Sequence, residues 1–248
     1  MVTLDKQTVR WQDLGLLDYG SAWEFQESLM QQTIRAKMQL ADHAVQLTEP
    51  DEGQAGGHFL LIVEHPPVYT LGKSGKHGNI LIAKHEMAQK GIEFFNTNRG
   101  GDITFHGPGQ IVCYPIFDLE KFSTDIGLYL RMLEEVVIRT LASYQVPGLR
   151  SAGETGVWIE PGQMGKERKI CAIGVRCSRW VTMHGFALNV NTSLSYFDDI
   201  IPCGIAGKRV TSLAQELGVF QDMEKVKAEV RRNMEEVFQV RLQEARLR

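Results

Sequence analysis

The order of apolar patterns along the chain is the feature that most limits its fold. Strand-like runs and helical stripes follow one another without the strand–helix–strand alternation that builds a doubly wound parallel sheet. The apolar run His58–His65 predicts a buried strand that ends at Pro66-Pro67, and Thr124 could cap a long amphipathic helix over 125–144. The pattern therefore predicts an α+β fold.

The other predicted elements fill the chain between these two. Helical spacing predicts helices over 22–47, 84–90 and 222–240, and a capping box of Ser212 and Gln215 predicts a short helix that ends at Gly218. Alternating or continuous apolar residues predict strands over 68–71, 92–95, 111–117, 156–159, 169–177 and 181–190. The polar, glycine-rich segment 49–57 is interpreted as a loop, because the single helix before it is too small to form its own core. We therefore expect residues 1–248 to form one domain, with the part up to about residue 57 peripheral.

Composition and charge exclude several classes of protein. The 248 residues are 43% apolar and 23% charged, and the net charge is −3, so no bulk positive charge is available to hold nucleic acid. The longest apolar runs, such as Phe59–Val63, are about five residues, far below the ~20 that span a bilayer. The polar start of the chain contains no apolar signal core. We expect a cytoplasmic protein that binds neither nucleic acid nor membrane.

Several familiar motifs are absent. The segment Gly72-Lys73-Ser74 lacks the glycine five positions earlier that a phosphate-binding loop requires, and no Gly-x-Ser-x-Gly or Gly-x-Gly-x-x-Gly pattern occurs. The four cysteines form no Cys-x-x-Cys pair, and the histidines are too scattered for a metal motif, so no metal is expected.

The segment Arg99–Gln110 (RGGDITFHGPGQ) is unusually rich in glycine. Glycine lets backbone N–H groups approach a ligand, and an arginine can hold an anionic or carbonyl group. The segment is either a tight turn between strands or a binding loop, and the combination of arginine, threonine and histidine favours the binding loop.

One cysteine stands apart from the other three. Cys203 lies between Pro202 and Gly204, which predicts a constrained loop that leaves the sulfur accessible, whereas Cys113, Cys171 and Cys177 lie in strand-like segments. A nucleophilic cysteine needs a nearby base or cation, because an ordinary thiol is mostly protonated at neutral pH. Lys169 could supply it, although a lysine on an outward strand face is usually only solvated.

Five segments together resemble the lipoyl(octanoyl) transferases. They are EHPPVYTLG (64–72), RGGDITFHGPGQ (99–110), RKICAIG (168–174), HGFALN (184–189) and PCG (202–204), in the order found in that family. The resemblance implies a fold like the catalytic domain of biotin and lipoate protein ligases, with a mixed sheet flanked by helices. It also implies that Cys203 forms an acyl-thioester and that Lys169 lowers the pKa of the thiol and shuttles protons. The positions that match substrate-binding residues of the family are Arg99, Gly100, Gly101, Asp102, Ile103, Thr104, Phe105, His106, Ala172, Ile173, Gly174, Gly185, Phe186 and Ala187.

The reaction implied by the resemblance is transfer of an octanoyl or lipoyl group without a cofactor. The donor would be octanoyl-acyl carrier protein, and the acceptors would be lysines of lipoyl domains, those of 2-oxoacid dehydrogenase E2 subunits and of the glycine cleavage H protein. A basic patch for an acidic carrier could include Arg176, Arg179, Lys208 and Arg209. Three alternatives stay open: an ATP-dependent lipoate ligase, a transferase that moves the group between lipoyl domains, and a non-catalytic binder of acylated carrier.

Overall fold

The computed structural model describes residues 6–43, 57–201 and 209–247. The described strands, in chain order, are β1 (Thr8–Leu16), β2 (His58–Glu64), β3 (Val68–Leu71), β4 (Glu93–Asn96), β5 (Ile103–His106), β6 (Gln110–Ile116), β7 (Val157–Ile159), β8 (Arg168–Ser178), β9 (Val181–Asn189), β10 (Arg209–Val210) and β11 (Arg241–Glu244). The helices are α1 (Tyr19–His43), α2 (Lys84–Gln89), α3 (Ile126–Ala142), α4 (Leu213–Leu217) and α5 (Met223–Phe238), with short 3-10 turns at His77–Asn79, Leu119–Lys121 and Leu194–Asp199.

The described strands form two sheets. The main sheet has the order β10-β8-β9-β6-β2-β1-β11, with β7 also paired to β8, and it mixes parallel and antiparallel pairs. A smaller sheet has the order β4-β3-β5. The predicted α+β class with a mixed sheet is confirmed.

Strand β2 shows why its apolar run is continuous. Leu60 and Ile62 belong to the core beneath α3 and α5, whereas Phe59, Leu61 and Val63 belong to the core beneath α1. Helices thus cover both faces of the main sheet, and the first six positions of this central strand are buried. This arrangement confirms the strand predicted at His58–His65.

The smaller sheet has its own apolar core. Tyr69, Leu71, Ile103 and Phe105 pack there with Phe197, next to the main sheet. Strand β5 lies within the glycine-rich segment, so that segment contains a strand in addition to turns.

The N-terminal part differs from the expectation. Strand β1 pairs with both β2 and β11, and α1 packs on the main sheet, so residues 6–43 supply part of the core and are not peripheral. Only Val9 and Trp11 alternate clearly with polar neighbours in β1, which explains why the strand was not predicted. The segment 49–57 lies almost wholly outside the described residues.

Helix ends follow local capping chemistry. The Asp125 side chain, and not Thr124 as predicted, caps α3 by accepting a hydrogen bond from the Leu128 amide. The predicted cap of α4 is confirmed, since the Ser212 hydroxyl accepts from the Gln215 amide and Gly218 has φ +71°. In the described part of the chain, no helix combines the length and apolar character needed to cross a bilayer.

Candidate active site

A cavity of about 390 Å³ lies where the smaller sheet meets strands β6, β8 and β9 of the main sheet. Apolar side chains form much of its wall: Ile103, Val112, Ala172, Ile173, Phe186, Ala187, Phe197 and Val210. Polar and charged side chains complete it: Tyr19, Arg99, Asp102, Thr104, His106, Gln110, Tyr114, Glu154, Thr155, Lys169, His184 and Asn189. Such a lining suits a ligand with an apolar chain and a polar reactive end.

The structure brings most of the sequence-predicted residues to this cavity. Lys169 and twelve of the predicted substrate-binding residues line it: Arg99, Gly101, Asp102, Ile103, Thr104, His106, Ala172, Ile173, Gly174, Gly185, Phe186 and Ala187. Two others are not in the wall. The Phe105 ring stacks on Tyr196 at 4.5 Å in the core of the smaller sheet, and Gly100 is bonded through its amide to the Val175 carbonyl at 2.9 Å. Cys203 lies outside the described residues.

Arg99 is held firmly at the wall. Its side chain is buried, and Nη2 donates to the Thr70 carbonyl oxygen at 2.6 Å and to Thr70 Oγ1 at 2.9 Å. Gly101, with φ +86°, reverses the chain after Arg99. The guanidinium therefore has a fixed position before any ligand enters.

Two glycines let the backbones come together beside the cavity. A Cβ at Gly185 would lie 2.1 Å from the Cys113 carbonyl oxygen, and one at Gly174 would lie 2.7 Å from the Gly100 carbonyl oxygen. These two glycines are register partners on β8 and β9. Only glycine fits at either position without moving a neighbouring backbone.

Lys169 is buried against an aromatic ring. It is 9% exposed, and Nζ lies 4.6 Å from the centroid of the Trp158 ring. An ammonium over the face of a tryptophan gains a favourable electrostatic contact that offsets part of its desolvation. The interpretation of Lys169 as a solvated strand lysine is therefore wrong, because β7 and the cavity wall enclose its side chain.

The backbone that lies over the Lys169 stem is supported by a buried carboxylate. Glu134 on α3 is fully buried, and Oε1 accepts from the Gly156 amide at 3.0 Å while Oε2 accepts from Arg150 Nε at 3.0 Å. Gly156 directly precedes β7, and a Cβ there would come within 3.5 Å of Lys169 Cε. Glu134 thus fixes the backbone that covers the lysine stem.

The cavity histidines are neutral. Burial lowers the pKa of His184 to about 3 and lowers the pKa of His106 well below its ordinary value. His65, which contacts His106 edge-on at 5.9 Å between ring centroids, has its pKa lowered by burial to about 4. Burial also raises the pKa of Tyr19 to about 12. The ring groups of the wall therefore act at neutral pH as hydrogen-bonding groups without charge.

The three described cysteines are poor nucleophiles. Cys113 and Cys171 are fully buried, and burial raises the pKa of each thiol, with a smaller rise for the half-buried Cys177. None of the three lines the cavity. The sequence interpretation of these cysteines as packing residues agrees with their surroundings.

Sequence reasoning missed several residues of the wall. Tyr19 comes from the first turn of α1, Tyr114 and Gln110 from β6, and Asn189 from the end of β9. Gln110 and Asn189 lie in the segments that carried the family resemblance, so their position in those segments was an available signal. Tyr19 had no such signal. In the described ranges, no group of three or more His, Cys, Asp or Glu side chains could hold a metal ion.

The fold is shared with solved lipoate ligases. A bipartite lipoate protein ligase from Thermoplasma acidophilum, solved with its E2 lipoyl domain, matches with a TM-score of 0.65 and 16% identity, covering 98% of this chain and 88% of that chain. Lipoate-protein ligase A bound with ATP matches with a TM-score of 0.67 and 15% identity, covering 98% and 90%. The chain therefore has the fold of the lipoate ligases, with a partly apolar cavity between its two sheets.

Sequence relatives narrow this class. Residues 18–235 match the lipoyl protein ligase A/B catalytic domain. The octanoyltransferase of Flavobacterium psychrophilum is 54% identical over 233 residues, covering 94% of this chain and 97% of that protein. The octanoyltransferase of Cytophaga hutchinsonii is 50% identical over 237 residues, covering 96% and 95%. The chain belongs to the lipoyl protein ligase A/B family and, within it, to the octanoyltransferases, which confirms the predicted resemblance and the acyltransferase class.

Proposed function

We propose that this protein transfers an octanoyl group from acyl carrier protein to a lysine of a lipoyl domain, through a thioester on Cys203. The observation that carries the proposal is the buried ammonium of Lys169 in the wall of a partly apolar cavity. Family membership supports octanoyl transfer, because relatives at 50–54% identity are octanoyltransferases. The whole chain would act as one catalytic domain, since strands from both its ends join one sheet.

The ends of the described chain on either side of Cys203 support its role. Phe197 and Val210 both line the cavity, and Val210 is the register partner of Lys169 in the β10–β8 pair. Ile201, two residues before Cys203, is bonded through its amide to the Asn79 carbonyl at 2.8 Å. The segment that contains Cys203 thus leaves and rejoins the described structure beside the cavity.

The proposed reaction has two acyl transfers. In the first, the Cys203 thiolate attacks the carbonyl of the acyl carrier thioester, the bond to the carrier sulfur breaks, and Lys169 gives its proton to that sulfur. In the second, an acceptor lysine amine attacks the Cys203 thioester, Lys169 takes a proton from that amine, and the Cys203 thiolate leaves. An amide forms, and both side chains return to their starting states without ATP.

The apolar part of the cavity suits the chain of the acyl group. Burial of an eight-carbon chain contributes on the order of 5 kcal/mol, at about 0.8 kcal/mol for each methylene. The volume of about 390 Å³ is in the range of ordinary small-molecule sites. Chain length would then be selected by the depth of this slot.

The test is intact-mass analysis of the protein after incubation with octanoyl-acyl carrier protein in the absence of ATP. We expect one octanoyl thioester adduct on the wild-type protein and on a Cys177→Ser control. We expect no octanoyl thioester on the Cys203→Ser variant. Addition of an apo-lipoyl domain should then discharge the adduct and octanoylate the acceptor. A thioester adduct that persists in Cys203→Ser refutes the nucleophile.

Two further outcomes would support the alternatives. Transfer that requires ATP and free octanoate would indicate a ligase, and binding of acylated carrier without turnover would indicate a non-catalytic module. Faster loading from an octanoylated lipoyl domain than from the carrier would indicate transfer between lipoyl domains.

For an acidic donor, we propose a second candidate docking surface in addition to the predicted basic patch. Arg176 is paired with Glu27 at 2.7 Å, Arg209 Nη2 donates to the Gly165 carbonyl at 2.6 Å, and Lys208 lies outside the described residues. Arg179, in the β8–β9 turn, is still a candidate for contact with the acidic donor. The stronger candidate is the turn over residues 72–77, which is hydrogen-bonded to the 99–102 wall of the cavity and carries two exposed lysines.

A further inference from the structure

A chain of hydrogen bonds crosses the floor of the cavity from the smaller sheet to the main sheet. Arg99 donates to Thr70 Oγ1 at 2.9 Å, Thr70 Oγ1 lies 3.3 Å from His106 Nε2, and His106 Nδ1 lies 2.8 Å from Gln110 Oε1. It continues from Gln110 Nε2 to Asn189 Oδ1 at 2.8 Å.

The far end of this chain reaches the strand of Lys169. Asn189 Nδ2 donates to the Thr211 carbonyl at 2.9 Å, and the Thr211 amide donates to the Lys169 carbonyl at 2.9 Å. The chain of hydrogen bonds therefore links Arg99 with the backbone of Lys169, and both residues line the cavity.

Backbone carbonyls determine the direction of every bond. A carbonyl can only accept, so Thr211 requires the Asn189 amide nitrogen to face it, and Asn189 Oδ1 must then face Gln110. The Phe105 carbonyl, which accepts from Gln110 Nε2 at 3.1 Å, independently requires the same orientation of Gln110. Gln110 Oε1 is thus left as an acceptor for His106.

The orientation of Gln110 determines the tautomer of His106. Since Gln110 Oε1 can only accept, His106 must carry its hydrogen on Nδ1, and Nε2 of the neutral ring then accepts from the Thr70 hydroxyl. The hydroxyl, having donated to His106, keeps its lone pairs for Arg99. All the bonds run in one direction, from Arg99 to the Lys169 carbonyl, and each polarises the next.

We propose that Gln110 and Asn189 are positioning residues of the active site, which hold His106 as its neutral Nδ1–H tautomer and thereby fix Arg99 at the cavity wall. Gln110 is 1% exposed and Asn189 is 4% exposed, so water cannot readily replace their amides. Neither needs to touch the reacting atoms, because each acts through its neighbour.

The surroundings of His106 favour the neutral ring. Tyr19 stacks on it at 5.9 Å between ring centroids, His65 contacts its edge at 5.9 Å, and Arg99 and His184 approach from the glycine-rich segment and from β9. Burial is the largest cause of the low pKa of His106, and the positive charge of Arg99 lowers it further. No carboxylate faces the ring among these groups of the described chain.

The decisive variant is Gln110→Glu, with Gln89→Glu at an exposed position of α2 as its matched control. A carboxylate at position 110 would face the oxygens of Phe105 and Asn189 and would attract a second proton to His106. We expect nitrogen NMR of the wild-type imidazoles to show His106 as a neutral Nδ1–H ring that does not titrate between about pH 5.5 and 8. In Gln110→Glu we expect His106 to titrate within that range, and acyl transfer to fall on the order of 10²-fold with a pH dependence that follows this titration.

The outcomes separate this proposal from the proposed function, on which its activity arm depends. A wild-type His106 that is the Nε2–H tautomer or an imidazolium overturns the proposal, even if Gln110→Glu fails to fold. A folded Gln110→Glu protein in which the new carboxyl group is ionised and His106 is unchanged overturns it too. If the NMR result is as expected but the wild-type protein transfers no octanoyl group, the positioning network stands and the proposed function fails.

Discussion

At the scale of single residues, the site combines two buried cationic side chains, Arg99 and Lys169, with several neutral rings. Lys169 lies over Trp158, and the rings of His106 and His184 stay uncharged because burial lowers their pKa. These neutral rings leave the ammonium without a competing positive imidazolium. Its charge is then available to a thiolate or to a developing charge in the cavity.

Replacement of the Lys169 ammonium should remove catalysis and leave the fold. Lys169→Met keeps an unbranched stem against Trp158, so we expect a change in melting temperature of only a few degrees. Octanoyl transfer should fall about 10²- to 10⁴-fold, which is the usual contribution of a general acid–base group. Lys166→Met, at an exposed position in the turn before β8, is the control and should keep full activity. A Lys169→Met protein with more than about a tenth of the wild-type rate would contradict the role.

Stability should fall on mild acidification because of the buried histidines. The pKa of His58 and of His65 is lowered by burial to about 4, and that of His184 to about 3, against an ordinary value of 6.5. The unfolded chain therefore binds more protons than the native one below about pH 6.5, and stability is lost as the pH falls towards the folded pKa values. At about pH 5, each of these histidines lowers the free energy of unfolding by up to about 2 kcal/mol relative to pH 7.

Urea denaturation at two pH values measures this effect. The urea concentration at the midpoint should be clearly lower at about pH 5 than at about pH 7. Most carboxylates are ionised at both pH values in the native and in the unfolded protein, so the difference reports the histidines. Replacement of His58 by Asn should reduce the difference. Equal midpoints at both pH values would show that the histidines are protonated in the native protein.

At the scale of elements, two glycines determine how closely the strands beside the cavity approach. Gly185 on β9 lies against the Cys113 carbonyl of β6, and Gly174 on β8 lies against the Gly100 carbonyl. The residue before Gly185, His184, has φ +57°, and the Gln26 side chain of α1 accepts a hydrogen bond from its amide. Helix α1 thus stabilises a strained turn of the strand in the cavity wall.

A methyl group at position 185 should separate β6 from β9. Gly185→Ala would place Cβ 2.1 Å from the Cys113 carbonyl oxygen, so we expect a loss of about 1–3 kcal/mol or more of unfolding free energy, together with loss of transfer. Gly78→Ala is the control, because nothing lies within 4 Å of its Cβ position. Comparable stability of the two variants in urea denaturation would show that the strands can separate at little cost.

At the scale of the whole molecule, charge is distributed unevenly although the net charge is −3. The turn over residues 72–77 is tied to the cavity wall by three backbone hydrogen bonds, from Gly72 to Asp102, from Lys73 to Arg99 and from Ser74 to Gly101. Lys73 and Lys76 are exposed on this turn, and within the described ranges neither forms an ion pair. Two unpaired cations at the rim suit an acidic partner.

Reversal of these charges should weaken the encounter with the donor. For the double variant Lys73→Glu and Lys76→Glu we expect the KM for octanoyl-acyl carrier protein to rise about tenfold or more at low salt, with little change in kcat. The difference from wild type should shrink as salt screens the charges. Lys225→Glu with Arg241→Glu is the control, because α5 and β11 lie away from the cavity. An unchanged KM at low salt would place the donor surface elsewhere.

Much of the fold was predictable because its elements are specified locally. The run His58–Glu64, the apolar stripe of α3 and the Ser212 cap of α4 each depend on neighbours within a few residues. Strand β1 was not predicted because its sequence is mostly polar and its apolar alternation is weak. Its strand conformation depends on pairing with β2 and β11, which are distant in sequence. The cap of α3 is Asp125 and not the neighbouring Thr124. Both residue types favour the N-cap, so sequence propensity does not fix the start of the helix to within one residue.

The sequence by itself determined the class of fold, the family and three of the segments that line the cavity, because periodicity, turn residues and motif order are properties of the chain alone. Only the tertiary structure decided that Lys169 is buried over Trp158, that Tyr19 joins the wall and that Gln110 sets the tautomer of His106. These relations join residues from different strands and helices. They depend on strand register and on which backbone carbonyls face inward, neither of which has a local signature.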